Sequence, residues 1–113
     1  HRYPRSQAAL ARVDPTDPRV ALRFELYADG IELANGFHEL ADAAEQRARF
    51  ATDLLARARL GLPTHPVDEA LLAALQHGLP DCCGVAVGLD RVLMVASGAQ
   101  HIDAVLALPM ERA

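Results

Sequence analysis

The feature that most constrains this chain is the Asp29-Gly30 pair, which separates two stretches of alternating residues, Val20 to Tyr27 and Ile31 to Glu39. Asp-Gly tolerates the positive φ of a tight two-residue turn, so the two stretches read as a β-hairpin. With Asp29 and Gly30 as the loop, Tyr27 pairs with Glu32 and Glu25 with Ala34, making Glu25 and Glu32 diagonal neighbours on one sheet face. Carboxylates roughly 7–8 Å apart at the backbone repel. They sit either in open water or around a cation, and oxygen-only ligation suits Mg²⁺ shared with substrate phosphates. Asn35, Phe37 and Glu39 alternate among themselves but out of phase with Glu32, so strict pleating sends them to the opposite face. A β-bulge at Ala34-Asn35-Gly36 would return them to the face of Glu25 and Glu32; a turn at Asn35-Gly36 that ends the strand is the competing reading.

Helical patterns follow. Asp42-Ala43-Ala44-Glu45 has the form of a capping box and opens a helix that closes near Gly61, with Pro63 beyond it. Phe50, Leu54, Ala58 and Ala51, Leu55 recur at helical spacing and predict a cover for the sheet, while Arg49, Asp53 and Arg57 form an i, i+4 ladder toward solvent. A second helix starts at Asp68, carries Leu71, Leu72 and Leu75, and stops at Gly78 before Leu79-Pro80. Gly84 to Arg91 reads as a buried strand running into a buried helix, Val92 to Ala96, that ends at Gly98. The first twenty residues, with Pro4, Pro15 and Pro18, predict loop with one short helical turn around Ser6 to Arg12. Ile102 to Met110 predicts a short turn or helix packed under the sheet.

The junction after Val87 is the second place where chemistry could sit. Gly84 and Gly88 leave room for something to lie against the strand, and Arg91 falls at the N-terminal end of the next helix. Free N–H groups, the helix dipole and a guanidinium fork together suit an anion such as phosphate. An Asp90 cap with a surface Arg91 is the alternative.

Composition removes several other classes. The chain has 113 residues, one domain's worth, and its 51% apolar and 23% charged residues exclude a disordered tail or a fibrous repeat. The net charge is −4 and all 11 basic residues are Arg without a basic run, so nothing favours nucleic acid or an anionic membrane. No apolar stretch approaches the ~20 residues that span a bilayer, and His1-Arg2-Tyr3-Pro4 has no apolar run of a signal peptide after it, which predicts a cytoplasmic protein. Adjacent Cys82 and Cys83 suit neither an ordinary disulfide nor a CxxC metal site and read as reduced thiols. His1, His38, His65, His77 and His101 show no metal-binding spacing, and there is no Ser nucleophile elbow, Cys-His arrangement or P-loop.

Arg23-Phe24-Glu25, Glu32 through Leu40 and Gly84 through Arg91, in that order, resemble the C-terminal half of a class II lysyl-tRNA synthetase catalytic domain, the last stretch being similar to class II motif 3. Gly30 through Leu40, Gly61-Leu62-Pro63 and Pro80-Asp81-Cys82, with Tyr3-Pro4 and Ser6-Gln7-Ala8, resemble more closely its truncated paralogues, the elongation factor P (R)-β-lysine ligases. The resemblance covers nearly the whole chain. It implies an α+β fold, the C-terminal portion of a class II synthetase-like antiparallel sheet flanked by helices, with residues 1–113 downstream of motifs 1 and 2, neither of which this sequence resembles anywhere.

The resemblance also implies ATP-dependent activation of lysine or (R)-β-lysine as its adenylate and transfer to a lysine of elongation factor P. Glu25 and Glu32 would hold the Mg²⁺ that bridges the ATP phosphates, and Arg91 would lie against adenine and the terminal phosphate, making Arg91 and Glu32 catalytic. Gly84 and Gly88 would admit the adenylate, Glu39 would take the distal ammonium of the amino acid, and Asn35 and Phe37 would line its pocket. Ala86 stands where lysyl-tRNA synthetases usually have Gly, beside the amino end of the substrate, and His38 where they usually have Ser; both favour the ligase. The alternatives are tRNA aminoacylation by a lysyl-tRNA synthetase and a non-catalytic synthetase-like module that binds an amino acid or a partner. The set Glu25, Glu32, Glu39 and Arg91 argues against the module. Because the chain opens abruptly on His1 and lacks motifs 1 and 2, a piece of a longer, homodimeric parent is expected, inactive alone with an incomplete ATP site.

Overall fold

The structure, a computed structural model, describes residues 1–112. In chain order its elements are β1 (Tyr3–Pro4), a 3-10 turn (Arg5–Gln7), β2 (Val20–Ala21), β3 (Arg23–Ala28), β4 (Ile31–His38), α1 (Ala43–Arg59), α2 (Glu69–His77), β5 (Cys83–Val87), α3 (Leu89–Ser97) and two short 3-10 turns, Ile102–Ala104 and Met110–Arg112. The antiparallel sheet with flanking helices is the α+β architecture expected from the sequence.

β3 and β4 form the hairpin, joined by Asp29 and Gly30 with φ of 50° and 78°, the doubly positive turn that matches strand twist. The register begins as expected, Ala28 opposite Ile31 and Tyr27 opposite Glu32, and then shifts by one. Leu26 pairs with Ala34 and Glu25 with Asn35, so the extra residue is Leu33. The bulge exists but precedes Ala34, and Gly36 serves another purpose. A Cβ there would lie 2.7 Å from the Phe24 ring and 2.8 Å from the Gly84 carbonyl oxygen, so glycine is needed for close approach.

β4 is the central strand, with β5 antiparallel on its other side: Asn35 opposite Ala86, Gly36 opposite Val85, Phe37 opposite Gly84. The second sheet, β1 with β2, was not expected from the Pro-rich start. The chain between them is stitched to the end of the hairpin by backbone bonds from Arg12 N–H to the His38 oxygen, Leu22 to Arg12, His38 to Leu22 and Leu40 to Leu10. Ala8, Ala11 and Ala21 are buried at this seam with Phe37 packed on them. Small residues let the backbones approach here, and the short helical turn expected around Ser6 to Arg12 is present as the 3-10 turn Arg5–Gln7.

The Asp42 carboxylate accepts from the N–H groups of Ala44 and Glu45 and caps α1, a contact typically worth about 1 kcal/mol. The box is not completed, because Glu45 accepts from Arg49 instead. Arg49 also donates to the Ala9 and Ala11 carbonyls, so it docks the helix on the N-terminal segment and does not join a solvent-side ladder. α1 packs chiefly against α2, joined by a bidentate Arg47–Glu69 pair, and Leu55 and Ala58 are exposed; it does not cover the sheet. α2 has the expected Asp68 cap and Gly78 terminus, and Leu72 is its buried residue.

The expected burial of the Gly84 to Ala96 region is also corrected. β5 is a sheet edge with Val85 and Val87 half-exposed, and α3 buries Met94 alone among its described residues. The turn at Ile102–Ala104 packs on α3, not under the sheet. Among the described residues no helix is long and apolar enough to cross a membrane.

Candidate functional site

Cross-strand partners in a sheet share a face, and the Leu33 bulge decides which residues those are. Arg23, Glu25 and Tyr27 alternate along β3; opposite them lie Phe37, Asn35 and Glu32, and opposite Phe37 and Asn35 lie Gly84 and Ala86. One face of the sheet therefore carries Glu25, Glu32, Asn35, Phe37, Gly84 and Ala86. Glu39, two residues past Phe37, reaches the same face, since a Cβ on Gly84 would lie 2.5 Å from its Oε1. The opposite face bears Phe24, Leu26, Val85 and Val87 and is apolar.

Glu25 is the most constrained of these. Its side chain is 11% exposed. Oε2 accepts the Tyr3 hydroxyl at 2.6 Å and the Tyr27 hydroxyl at 2.7 Å, and Oε1 accepts Arg23 Nη2 at 2.5 Å. These donors hold the Glu25 carboxyl below its usual range, with the Tyr3 bond the largest cause. The effect is reciprocal: the bond to the Glu25 carboxylate pushes Tyr27 up to about 12 and raises Tyr3 as well. Tyr3 and Tyr27 are the only tyrosines in the chain.

Arg23 ties this group to Asn35. Its Nε donates to Asn35 Oδ1 at 3.1 Å and Nη1 to the Gln7 carbonyl at 2.8 Å, while its guanidinium lies 4.7 Å from the centre of the Tyr3 ring. Sequence reasoning proposed no role for Arg23, Tyr3 or Tyr27. Strand parity places Arg23 and Tyr27 beside Glu25 and could have found them; Tyr3 depends on the β1–β2 pairing, which has no local signal.

The bulge also receives the junction after β5. The Leu33 carbonyl accepts the Gly88 N–H at 2.9 Å, and the Glu32 carbonyl accepts Arg91 Nη1 at 2.9 Å. Gly88, not Asp90, is the N-cap of α3. The stem of Arg91 lies on Gly88, its Cδ 3.2 Å from where a Cβ would sit; its side chain is 49% exposed, with Nη1 3.9 Å from Glu32 Oε2.

Glu25 and Glu32 present oxygen donors only, which suits a hard dication. Oε2 of Glu25 is saturated by two phenols and Oε1 keeps one lone pair beside Arg23, whereas among the described residues the Glu32 carboxylate has only the long contact to Arg91. Among the described residues no group of three or more His, Cys, Asp or Glu could hold a metal. The pair therefore fits Mg²⁺ that keeps waters and substrate phosphates as its other ligands, and not a dedicated protein cage.

Among the described residues the expected ones share a face and line separate clefts. Glu25, Glu39 and Phe37 line three different clefts of about 900, 360 and 350 Å³. Phe37, expected to line the amino-acid pocket, packs on Ala8, Ala11 and Ala21. Outside this face, His38 Nε2 donates to Asp81 at 2.7 Å and Arg12 pairs with the same carboxylate oxygen at 2.9 Å, clamping the loop before β5 to β4 and holding Asp81 below its usual range, chiefly through His38. Cys82 and Cys83 are free thiols, as expected.

Relatives among known proteins match nearly the whole chain. Elongation factor P–(R)-β-lysine ligase of Vibrio cholerae is 59% identical over 111 residues, 98% of this chain and 34% of that protein. The proteins of the same name from Klebsiella pneumoniae and Edwardsiella ictaluri are 58% and 56% identical over 113 residues, all of this chain and 35% of each relative. The chain thus spans about a third of the length of the curated relatives it matches. The sequence model of the tRNA synthetases class II (D, K and N) matches residues 1–112, and the chain belongs to that family.

Proposed function

We propose that this chain is the C-terminal part of the catalytic domain of an ATP-dependent ligase that activates a lysine-like amino acid as its adenylate and transfers it to a lysine of elongation factor P. The observation that carries the reading is the common face of Glu25, Glu32, Asn35, Glu39 and Gly84, with Arg91 anchored to its rim. The relatives' ligase name supports the choice of acceptor.

In the first step the carboxylate of the amino acid attacks the α-phosphorus of ATP and pyrophosphate leaves. Arg91 spends one N–H on the Glu32 carbonyl and keeps the rest of a half-exposed fork for phosphate oxygens, where its charge offsets the charge that develops on the leaving pyrophosphate. Mg²⁺ bound at Glu32 and the open lone pair of Glu25 would supply charge neutralisation for the phosphates. Glu39, its carboxylate lying over Gly84, takes the distal ammonium of the substrate, and Asn35 contacts the reacting end. In the second step the side-chain amine of the acceptor lysine attacks the acyl carbon and AMP leaves. Ala86, opposite Asn35, adds a methyl to the floor of the site where its shape selects the position of the substrate amine.

Motifs 1 and 2 then belong to the part of a longer homodimeric protein beyond these residues. Amino-acid-dependent ATP–pyrophosphate exchange tests this reading. The full-length protein should exchange with lysine or (R)-β-lysine, and the 113-residue chain alone should not; exchange by the isolated chain, or by the full-length protein with neither amino acid, overturns it.

A further inference from the structure

We propose that Arg23 is a positioning residue that sets the orientation of the Asn35 amide, so that Asn35 meets its ligand with the NH₂ group and recognises an acceptor oxygen of the bound amino acid or its adenylate. The inference rests on the functional reading above and adds to it a residue and a polarity.

The argument starts from donor chemistry. Arg Nε carries a hydrogen and has no acceptor capacity, so the atom of Asn35 facing it at 3.1 Å must be the carbonyl oxygen. The amide nitrogen is then the end left over, and among the described residues it makes no hydrogen bond to a protein partner. Asn35 sits in the middle of the central strand, between Glu25 on one side and Ala86 on the other. A group lying on the face at this point therefore meets the two N–H donors of the Asn35 amide, whose oxygen is turned to Arg23.

Arg23 can impose this orientation because it is itself held at every donor-bearing nitrogen. Nη2 is on Glu25 Oε1, Nη1 on the Gln7 carbonyl, and its plane lies against the Tyr3 ring. Only 17% of the side chain is exposed, so water competes little for these bonds. A lysine ammonium is a point charge and cannot span Asn35, Glu25 and Gln7 together. Without the fork the Asn35 amide is free to turn over and present its oxygen.

The test uses the full-length protein and three variants. Asn35→Asp keeps an oxygen toward Arg23 and replaces the free NH₂ with a second oxygen. It should leave the Arg23 Nε–H resonance protected from solvent exchange in selectively labelled protein, yet raise the amino-acid KM in ATP–pyrophosphate exchange roughly tenfold or more, the scale of one lost hydrogen bond in a site. Arg23→Lys should raise the same KM by a similar factor with kcat less affected, and the double variant should add little to either single one, because both remove the same oriented donor. Asn35→Leu should abolish the Nε–H protection. A wild-type KM in Asn35→Asp, full additivity in the double variant, or Nε–H protection unchanged by Asn35→Leu overturns the proposal. The resonance measurement needs no substrate, so if the wild-type protein shows no exchange the functional reading fails while the tether is still decided.

Discussion

Arg91 donates through Nη1 to the backbone oxygen of Glu32 at 2.9 Å, joining the first turn of α3 to the hairpin across 59 positions of sequence. The acceptor carbonyl lies next to the Leu33 bulge, and the Leu33 carbonyl in turn holds Gly88. One irregularity in β4 thus phases Asn35 with Glu25 and also seats the helix that carries the Arg.

A phosphate role for Arg91 predicts a strong effect on chemistry and a weak one on stability. In the full-length protein Arg91→Ala should lower the ATP–pyrophosphate exchange rate by roughly 10²-fold or more, the usual scale for loss of one charged transition-state contact. Arg91→Lys should recover little of it, because a compact ammonium lacks the planar guanidinium fork that presents separate N–H groups to the Glu32 carbonyl and to a phosphate. Thermal unfolding should move little for either variant, since the Arg91 side chain is half-exposed. Exchange kinetics within about threefold of wild type for Arg91→Ala would remove it from the proposed mechanism.

The Glu25 cluster predicts a definite pH dependence. Glu25 has a lowered folded-state value, so its contribution is present above the ordinary glutamate range of roughly 4 to 5 and is lost as pH falls through the lower folded value. Tyr27 has a raised value, so its contribution is present below about 10 and is lost as pH rises through about 12. Because the chain has no other tyrosines than Tyr3 and Tyr27, tyrosinate absorbance reads the cluster directly. Glu25→Gln should shift the titration to lower pH; an unchanged curve would show that the phenols do not share that carboxylate.

Two glycines should separate stability from recognition. At Gly36 an added methyl meets the Phe24 ring and the Gly84 backbone oxygen, so Gly36→Ala should destabilise by about 1–3 kcal/mol in denaturant melts. At Gly84 it meets the end of the Glu39 side chain, which can swing away. Gly84→Ala should therefore melt near wild type and raise the KM for the amino acid. Equal stability losses at both positions would contradict the freedom of the Glu39 side chain to swing away from Gly84.

Removal of the interior contact between α2 and its surroundings has a conventional cost. Leu72 is 1% exposed, and Leu72→Ala should destabilise by about 2–5 kcal/mol in a denaturant melt; a loss below about 1 kcal/mol would mean that α2 is not held by this side chain.

What could be read from the sequence was what local chemistry decides. Asp29-Gly30 set the hairpin, Asp42 and Asp68 marked helix starts, and the phase conflict between Glu32 and Asn35 raised a bulge as one of two readings, the other being a turn at Asn35-Gly36. The position of the bulge was missed by one residue because Gly36, the obvious candidate, is a glycine for the sake of Phe24. Long-range pairings were illegible: Tyr3 reaches Glu25 only through a two-residue strand, and Arg49 turns to the Ala9 and Ala11 carbonyls although its spacing suggested a surface ladder. The apolar runs in β5 and α3 promised burial, but among the described residues nothing covers Val85 and Val87.

The most direct test supplies the full-length protein with ATP, Mg²⁺ and (R)-β-lysine, offers elongation factor P and tRNA side by side, and follows each acceptor by mass spectrometry. The account predicts that elongation factor P gains one β-lysyl group on a lysine side chain while tRNA stays uncharged. Charging of tRNA, or no modification of either acceptor, would contradict it.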